Sequence, residues 1–350
     1  MSAMTTLRVA VAGCGMISEF HLRGWSRLAN VEVVALCDVD QGAAHKRAQA
    51  FAPEARVHAR LEDMLREERV DIVDVATPPS THVEHCMTAI THGCHVICQK
   101  PLADSSAAAL HLAALAQAAG VALAVHDNHR MRPWFGQILS HHRAHKFGRI
   151  LRARLAQWDA AAPAEAFKRT APRGVMFEYG THLLDMMLAL FGAPDAVTAR
   201  TGRPNAAVAG ESYCHAIFDY GTFAADIDVA WKPAGPATGA FHLLGERGEA
   251  LYEGSMTRGP SSRFRLVVDG ELLTDEARDP LTDYVESFYQ YQRAFVAMLT
   301  LGTAASPKPV SAAESATVLR WMELAYASAQ SGRAVAAATD ESQPLRDGAG

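Results

Sequence analysis

The chain has 350 residues, 49% hydrophobic and 20% charged, with a formal net charge of −5. This ordinary globular balance gives no basis for a nucleic-acid or membrane partner, and no apolar run reaches the ~18 residues a spanning helix needs. Length favours two domains at roughly 100–200 residues each, and entry into a strand at Leu7 without signal-peptide regions predicts a cytoplasmic protein.

Leu7–Ala12 is an apolar run ending at Gly13, after which Ile17, His21, Gly24 and Leu28 recur at helical spacing. Val31–Cys37 is a β-branched run, followed by an alanine-rich helix to about Phe51. Leu61, Met64 and Leu65 mark another helix, and Asp71–Thr77 reads as a strand. Val83, Met87 and Ile90 form a helical stripe closed by Gly93, as a glycine after a helix end does. His95–Gln99 is a strand, Ser105–Ala119 a helix ended by Gly120, and Val121–His126 a further strand. Continuous apolar strands separated by helices predict a parallel sheet covered on both faces. Residues 5–128 are therefore expected to form a doubly wound α/β domain.

After about residue 150 the period changes to two. In Thr222–Trp231, Phe223, Ala225, Ile227, Val229 and Trp231 alternate with Asp226 and Asp228. Similar segments occur at Ile150–Trp158, Val197–Gly202, Ser212–Tyr220, Phe241–Leu251 and Arg263–Val268, with short turns at Asp219-Tyr-Gly and Val268-Asp-Gly. Helices at about Leu281–Leu299 and Ala312–Ser331 complete an α+β domain over 129–336, with an open, mainly antiparallel sheet. The polar segment 337–350 reads as a disordered tail. Phe264, Leu266, Val268 and the Phe223–Trp231 stripe are too many for one core unless two faces are buried, which predicts a homodimer or homotetramer.

Six cysteines include no Cys-x-x-Cys pair and lie in apolar patterns, so they read as reduced, buried thiols. His141 and His145 have i, i+4 spacing but no carboxylate ligand beside them, which reads as a solvated face rather than a metal site.

The chemistry gathers at strand ends. Gly13-Cys14-Gly15-Met16-Ile17-Ser18 follows the first strand and opens the first helix, a Gly-x-Gly-x-x-Gly loop with serine at the third glycine. Glycines let the backbone turn tightly and approach a pyrophosphate resting on the helix N-terminus. Asp38 ends the second strand, 23 residues after Gly15. A carboxylate there accepts hydrogen bonds from the adenosine ribose and repels a 2′-phosphate, favouring NAD over NADP. Thr77 and Pro78 close the Asp71–Thr77 strand with His82 following on the next helix, and Gln99 and Lys100 close the His95–Gln99 strand. Ligands of doubly wound sheets lie at that carboxyl edge.

These motifs resemble the glucose–fructose oxidoreductase / inositol dehydrogenase / rhizopine catabolism family. Ala76-Thr77-Pro78-Pro79 with His82, then Gly93-x-His95-Val96-x-x-x-Lys100-Pro101, Asn128-x-Arg130, Gly148-x-Ile150 and Gly180-Thr181-His182-Leu183-Leu184-Asp185, follow its order across residues 7–330. The resemblance implies a Rossmann domain with an open-sheet substrate domain and a catalytic lysine at Lys100. Gln99 stands where the family usually has glutamate, and Glu178 stands in the acid position four residues before His182. Gln-Lys-Pro with Glu-x-Gly-x-His is similar to dehydrogenases of branched pentoses, apiose among them.

Oxidising a hydroxyl sends hydride to nicotinamide while a base takes the proton, and histidine's ordinary pKa of about 6.5 suits that step. His182 is the expected base, Lys100 the cation stabilising alkoxide character or itself the base, and Glu178 the group that orients His182. Asn128, Arg130, Trp134, Trp158 and Asp185 are substrate candidates, offering polar groups and an aromatic face to a polyol. The expectation is an NAD-dependent dehydrogenase of a small sugar or polyol. An NAD-retaining glycosidase and a non-catalytic NAD-binding regulator are the alternatives.

Overall fold

The computed structural model describes residues 6–160, 163–232, 235–257, 261–302 and 308–337. The polar segment at 338–350 lies outside them. The first half alternates strand and helix: β1 (Leu7–Ala12), α1 (Ser18–Trp25), β2 (Val31–Cys37), α2 (Gln41–Phe51), β3 (Arg56–His58), α3 (Leu61–Glu67), β4 (Ile72–Val75), α4 (His82–Thr91), β5 (His95–Gln99), α5 (Ser106–Ala118) and β6 (Leu123–His126). Val9, Ala10, Val11, Ile72, Val73, Val96 and Ile97 are fully buried, as strands covered on both faces require. Asp40 and Ser105 accept from Ala43 N and Ala108 N and so cap α2 and α5.

The second half runs α6 (Pro133–Arg143), β7 (Ile150–Ala160), α7 (Ala166–Thr170), α8 (Thr181–Phe191), β8 (Ala196–Gly202), β9 (Tyr213–Asp219), β10 (Ala224–Lys232), β11 (Thr238–Gly245) and β12 (Gly248–Gly254). It continues through β13 (Ser262–Val268), β14 (Glu271–Arg278), α9 (Pro280–Leu301), β15 (Val310–Ser311), α10 (Ala312–Ser331) and β16 (Val335–Ala336). Among the described residues, no helix is long and apolar enough to cross a membrane.

The first sheet has the order β15-β6-β5-β4-β1-β2-β3, parallel except for β15, which pairs antiparallel with β6. The strand order reverses between β1 and β4, and this places the ligand crevice beyond their carboxyl ends. The second sheet has the order β14-β13-β12-β11-β7-β10-β9-β8-β16 and is antiparallel except where β7 and β10 run parallel. Leu155, Ile227, Phe241, Tyr252, Phe264 and Leu266 face one core, shared with α6, α8 and α10.

That arrangement overturns the argument for a second buried face. Phe264, Leu266, Val268, Ala225, Ile227, Val229 and Trp231 all enter the same core. A nine-stranded sheet is broad enough to hold them because three helices cover it. Its opposite face carries charge instead: Arg152 pairs with Asp226 at 3.0 Å, and Arg154 with Asp228 at 3.5 Å. Two further differences are local. Phe241–Leu251 is a hairpin, β11 and β12, because Glu246 and Arg247 turn the chain between them. Strand β14 is mostly exposed and polar, so alternation does not mark it.

Candidate active site

A cleft of about 1250 Å³ runs along the carboxyl edge of the first sheet and under the second. It exceeds the roughly 300–1,000 Å³ typical of a single small-ligand pocket, leaving room for a dinucleotide together with a small co-substrate. Gly13, Gly15, Met16, Ile17, Asp38, Thr77, Pro78, Gln99 and Lys100 line it. Gly13 has φ +96°, and a Cβ there would meet the Ala76 carbonyl at 2.6 Å, so the loop after β1 presses on the loop after β4. A Cβ on Gly15 would meet nothing within 4 Å, which leaves the loop backbone open for a pyrophosphate. Ser18 is fully buried and its hydroxyl donates to Gly15 O at 2.6 Å, closing the turn. Asp38 accepts from Cys14 N at 2.6 Å and Asp40 N at 2.8 Å. The residues present therefore fit a dinucleotide, with Asp38 at its adenosine end.

His82 is placed differently from expectation. It is fully buried, outside the cleft lining, and its ring nitrogens reach Pro101 O and Thr77 O, each at 2.8 Å. It ties together the loops after β4 and β5, because the first turn of α4 lies behind both.

At the other end of the cleft, Lys100 meets groups from the second half of the chain. Its ammonium donates to the Glu178 carbonyl oxygen at 2.8 Å and lies 3.3 Å from Glu178 Oε1. Lys168, on α7, lies 2.9 Å from the same carboxylate oxygen. Burial lowers the Lys100 pKa, and Lys168 lowers it further, against the pull of Glu178. Burial alone would raise Glu178, but Lys100 and Lys168 outweigh it and bring the carboxyl to about 2.

Glu178 does not orient His182, which corrects the sequence expectation. Asp127, just past β6, lies 2.6 Å from His182 Nδ1 and takes that role. Met176–Gly180 forms a π turn ahead of α8, so four-residue α spacing does not carry across it. Glu178 is turned onto the two lysines instead. His129 stacks on His182 with ring centroids 3.9 Å apart. Burial lowers the His182 pKa, Asp127 opposes that, and Lys100 adds to it. Asp127, His129 and His182 have ligand atoms within 4.8 Å of one another, a spacing that a cation could bridge. Lys100 and Arg132 already bring positive charge to the group, so proton handling suits it better than metal binding.

The substrate candidates separate. Asn128 lines the cleft, though its amide donates to Ser287 Oγ at 2.7 Å. Arg130 forms a two-pronged pair with Asp185 at 2.6 and 2.7 Å and reaches Glu314 at 2.7 Å. This fastens the turn after β6 to α8 and α10, and neither Arg130 nor Asp185 lines the cleft. Trp134 is fully buried, stacked on Tyr252 at 4.3 Å in the second core. Trp158 lies on the opposite face of β7, with the Arg154 guanidinium 5.9 Å from its ring centre. Strand alternation turns its neighbours Gln157 and Asp159 into the cleft. Gln157, Asp159, Lys168, Tyr179 and Trp231 are lining residues that sequence reasoning missed. Gln157 and Trp231 carry a signal, since each sits on the inward phase of a period-2 strand. Lys168, on a five-residue helix, carries none.

The crevice at the strand-order reversal is that of a Rossmann-fold dinucleotide-binding protein, and Lys100 from the end of β5 and His182 from α8 stand at its other end. Residues 7–127 match the NAD-binding Rossmann fold of the Gfo/Idh/MocA oxidoreductase family and residues 143–337 match its C-terminal alpha/beta domain, and the chain belongs to that family. It is 34% identical over 217 residues to a D-apiose dehydrogenase of Paraburkholderia graminis, covering 60% of this chain and 58% of that protein. It is 26% identical to a D-apiose dehydrogenase of Rhizobium rhizogenes, covering 95% of this chain and 98% of that one. Matches to the first four curated relatives span 55–58% of their lengths. The fold is similar to that of an Agrobacterium radiobacter oxidoreductase solved with NAD+, L-tartaric acid and magnesium, with TM-score 0.81, 23% identity, and coverage of 95% and 98%.

Proposed function

We propose that the chain is an NAD-dependent dehydrogenase that oxidises a hydroxyl or hemiacetal of a small sugar or polyol. The observation that carries this reading is the meeting of Lys100 with the Asp127–His182 pair in the cleft that begins at Gly13 and Asp38. When bound, NAD supplies the hydride acceptor. The chain's own groups handle the proton. The Asp127 carboxylate accepts a hydrogen bond from Nδ1–H of His182, which keeps the ring proton on Nδ1 and leaves the Nε2 lone pair free to accept the substrate hydroxyl proton. The Lys100 ammonium, held by Glu178, stabilises negative charge on the oxygen as that proton leaves. Gln157, Asp159 and Trp231 offer donors and acceptors suited to the remaining hydroxyls of a carbohydrate. The likeness to the D-apiose dehydrogenases supports a branched pentose within that class.

Lys100→Met and His182→Ala should each lower kcat by about 10²–10⁴ while NAD still binds. The double variant should lose much less than the product, because the pair acts as one unit. The measurement is single-turnover NADH release across aldoses and polyols, repeated with NADP, which Asp38 should disfavour. Wild-type rates in both single variants, or turnover without NADH release, would sink the dehydrogenase reading.

We also infer a homodimer or homotetramer built on the open face of the second sheet. Its rows of Arg152, Arg154, Asp226 and Asp228 supply both signs of charge for a self-complementary contact, and Ile217 is 42% exposed beside them. Light scattering that finds only a single-chain mass at micromolar concentration would refute this.

A further inference from the structure

A chain of buried polar groups ends at the residue before Lys100. Asp74, on β4, and His21, on α1, are both fully buried. Asp74 Oδ2 accepts from Trp25 Nε1 at 2.6 Å and lies 2.8 Å from His21 Nδ1. His21 Nε2 lies 2.6 Å from the side-chain nitrogen of Gln99. The His21 ring cannot swing away, since His126 packs on it at 4.4 Å and Phe288 meets it edge-on at 5.1 Å.

With a neutral His21 ring, donor and acceptor chemistry gives each link its direction. A carboxylate only accepts, so His21 carries its proton on Nδ1. The neutral ring then holds a lone pair on Nε2 and must accept, which turns the Gln99 NH2 group toward it. The carbonyl oxygen is what remains of a side chain that is 7% exposed and lines the cleft. A carboxylate at position 99 would face the Nε2 lone pair with no proton between them. Protonating His21 instead would set a cation between two carboxylates away from water, at a desolvation cost.

We propose that Asp74 and His21 are positioning residues that lock the Gln99 amide with its carbonyl oxygen toward the cleft, where it accepts a hydrogen bond from a hydroxyl or amide N–H on the nicotinamide half of NAD. This rests on the dinucleotide reading of the cleft. The half is assigned because Gln99 adjoins Lys100, whereas Asp38 sits at the adenosine end.

The first test is nitrogen NMR of histidine-labelled protein without cofactor, with the His21 signals identified by their loss in His21→Gln. The His21 ring proton should sit on Nδ1, with Nε2 bare. An imidazolium or an Nε2-protonated ring overturns the lock. The second test is NADH titration by fluorescence. Gln99→Met keeps the length but loses the acceptor, and should weaken binding about threefold to tenfold, the effect of one hydrogen bond. His21→Leu should weaken it as much. His21→Gln restores an acceptor for the Gln99 NH2 group and should recover most of the affinity. Thermal melts check that each variant folds, and Gln99→Met, at the cleft wall, carries the test if His21→Leu does not. Unmoved affinity in Gln99→Met, beside a wild type that binds NADH and turns over, removes this proposal alone. A wild type that binds no NADH removes the cofactor reading and this contact together.

Discussion

Two buried aspartate–histidine pairs converge on the strand end at Gln99 and Lys100, and they are put to different use. In each, a carboxylate oxygen faces Nδ1, at 2.8 Å for Asp74 and His21 and at 2.6 Å for Asp127 and His182. The difference lies at the far nitrogen. Gln99 covers Nε2 of His21 at 2.6 Å, whereas Nε2 of His182 makes no hydrogen bond among the described residues and its ring lines the cleft. The same pair of residue types is thus a strut when both nitrogens are bound, and in the proposed reaction serves as a base where one is left open. Surroundings reinforce the contrast. His21 sits between His126 and Phe288, while His182 lies within the charge of Lys100 and Glu178.

Substituting one aspartate at a time should break the comparison cleanly. Asp127→Asn carries the larger expected effect, a fall in kcat of about 10²–10⁴ with NAD affinity kept, because an amide can leave His182 protonated on the wrong nitrogen. The pH profile fixes the sign. Burial already holds His182 below its ordinary pKa, and Asp127 is the group opposing that. Its removal should move the acid limb of kcat/KM to still lower pH. A limb that moves up, or a rate within threefold of wild type, would show that Asp127 is not the orienting acid.

Asp74→Asn should do less to the chemistry and more to the fold. The amide oxygen can accept from Trp25 and His21, though more weakly than a carboxylate, but the NH2 group would then take the buried place of Oδ1, which has no hydrogen-bond partner among the described residues. Leaving a buried donor unmet costs about 1–3 kcal/mol, which denaturant titration would read. NADH affinity should weaken modestly, with kcat nearly unchanged. A collapse of kcat at full NADH saturation would mean that the two pairs are not separate devices.

The contrast also explains what the sequence could and could not disclose. Gly13, Gly15, Asp38 and Lys100 were legible because each answers a local demand at a strand end: a tight turn, an open backbone, a charge at the crevice. Asp127 was not, since it meets His182 across 55 residues and lies just beyond an apolar strand with no distinguishing spacing. Trp134 and Arg130 show the opposite error. A tryptophan or arginine after the last parallel strand looks the same in sequence whether it faces a ligand or a core. The inner face of helix Pro133–Arg143, which buries Trp134 with Phe135, Ile138 and Leu139, decides the matter for Trp134. Trp158 missed by one residue, and in a strand one residue is the whole width of the sheet. Most strands and helices were legible because burial on one or both faces imposes a period. β14 escaped because most of its side chains are exposed.

The short strand β15 gives the molecule a mechanical property that neither half has alone. The chain leaves the first sheet after β6, returns to it through α9 and β15, and leaves again along α10. Tyr291, Phe295 and Val310 sit in the first core, while Val318, Trp321 and Met322, further along α10, sit in the second. Three passages of backbone therefore span the gap between the sheets where a simple hinge would have one. The jaws of the cleft are sewn together, which opposes a swing of one half against the other.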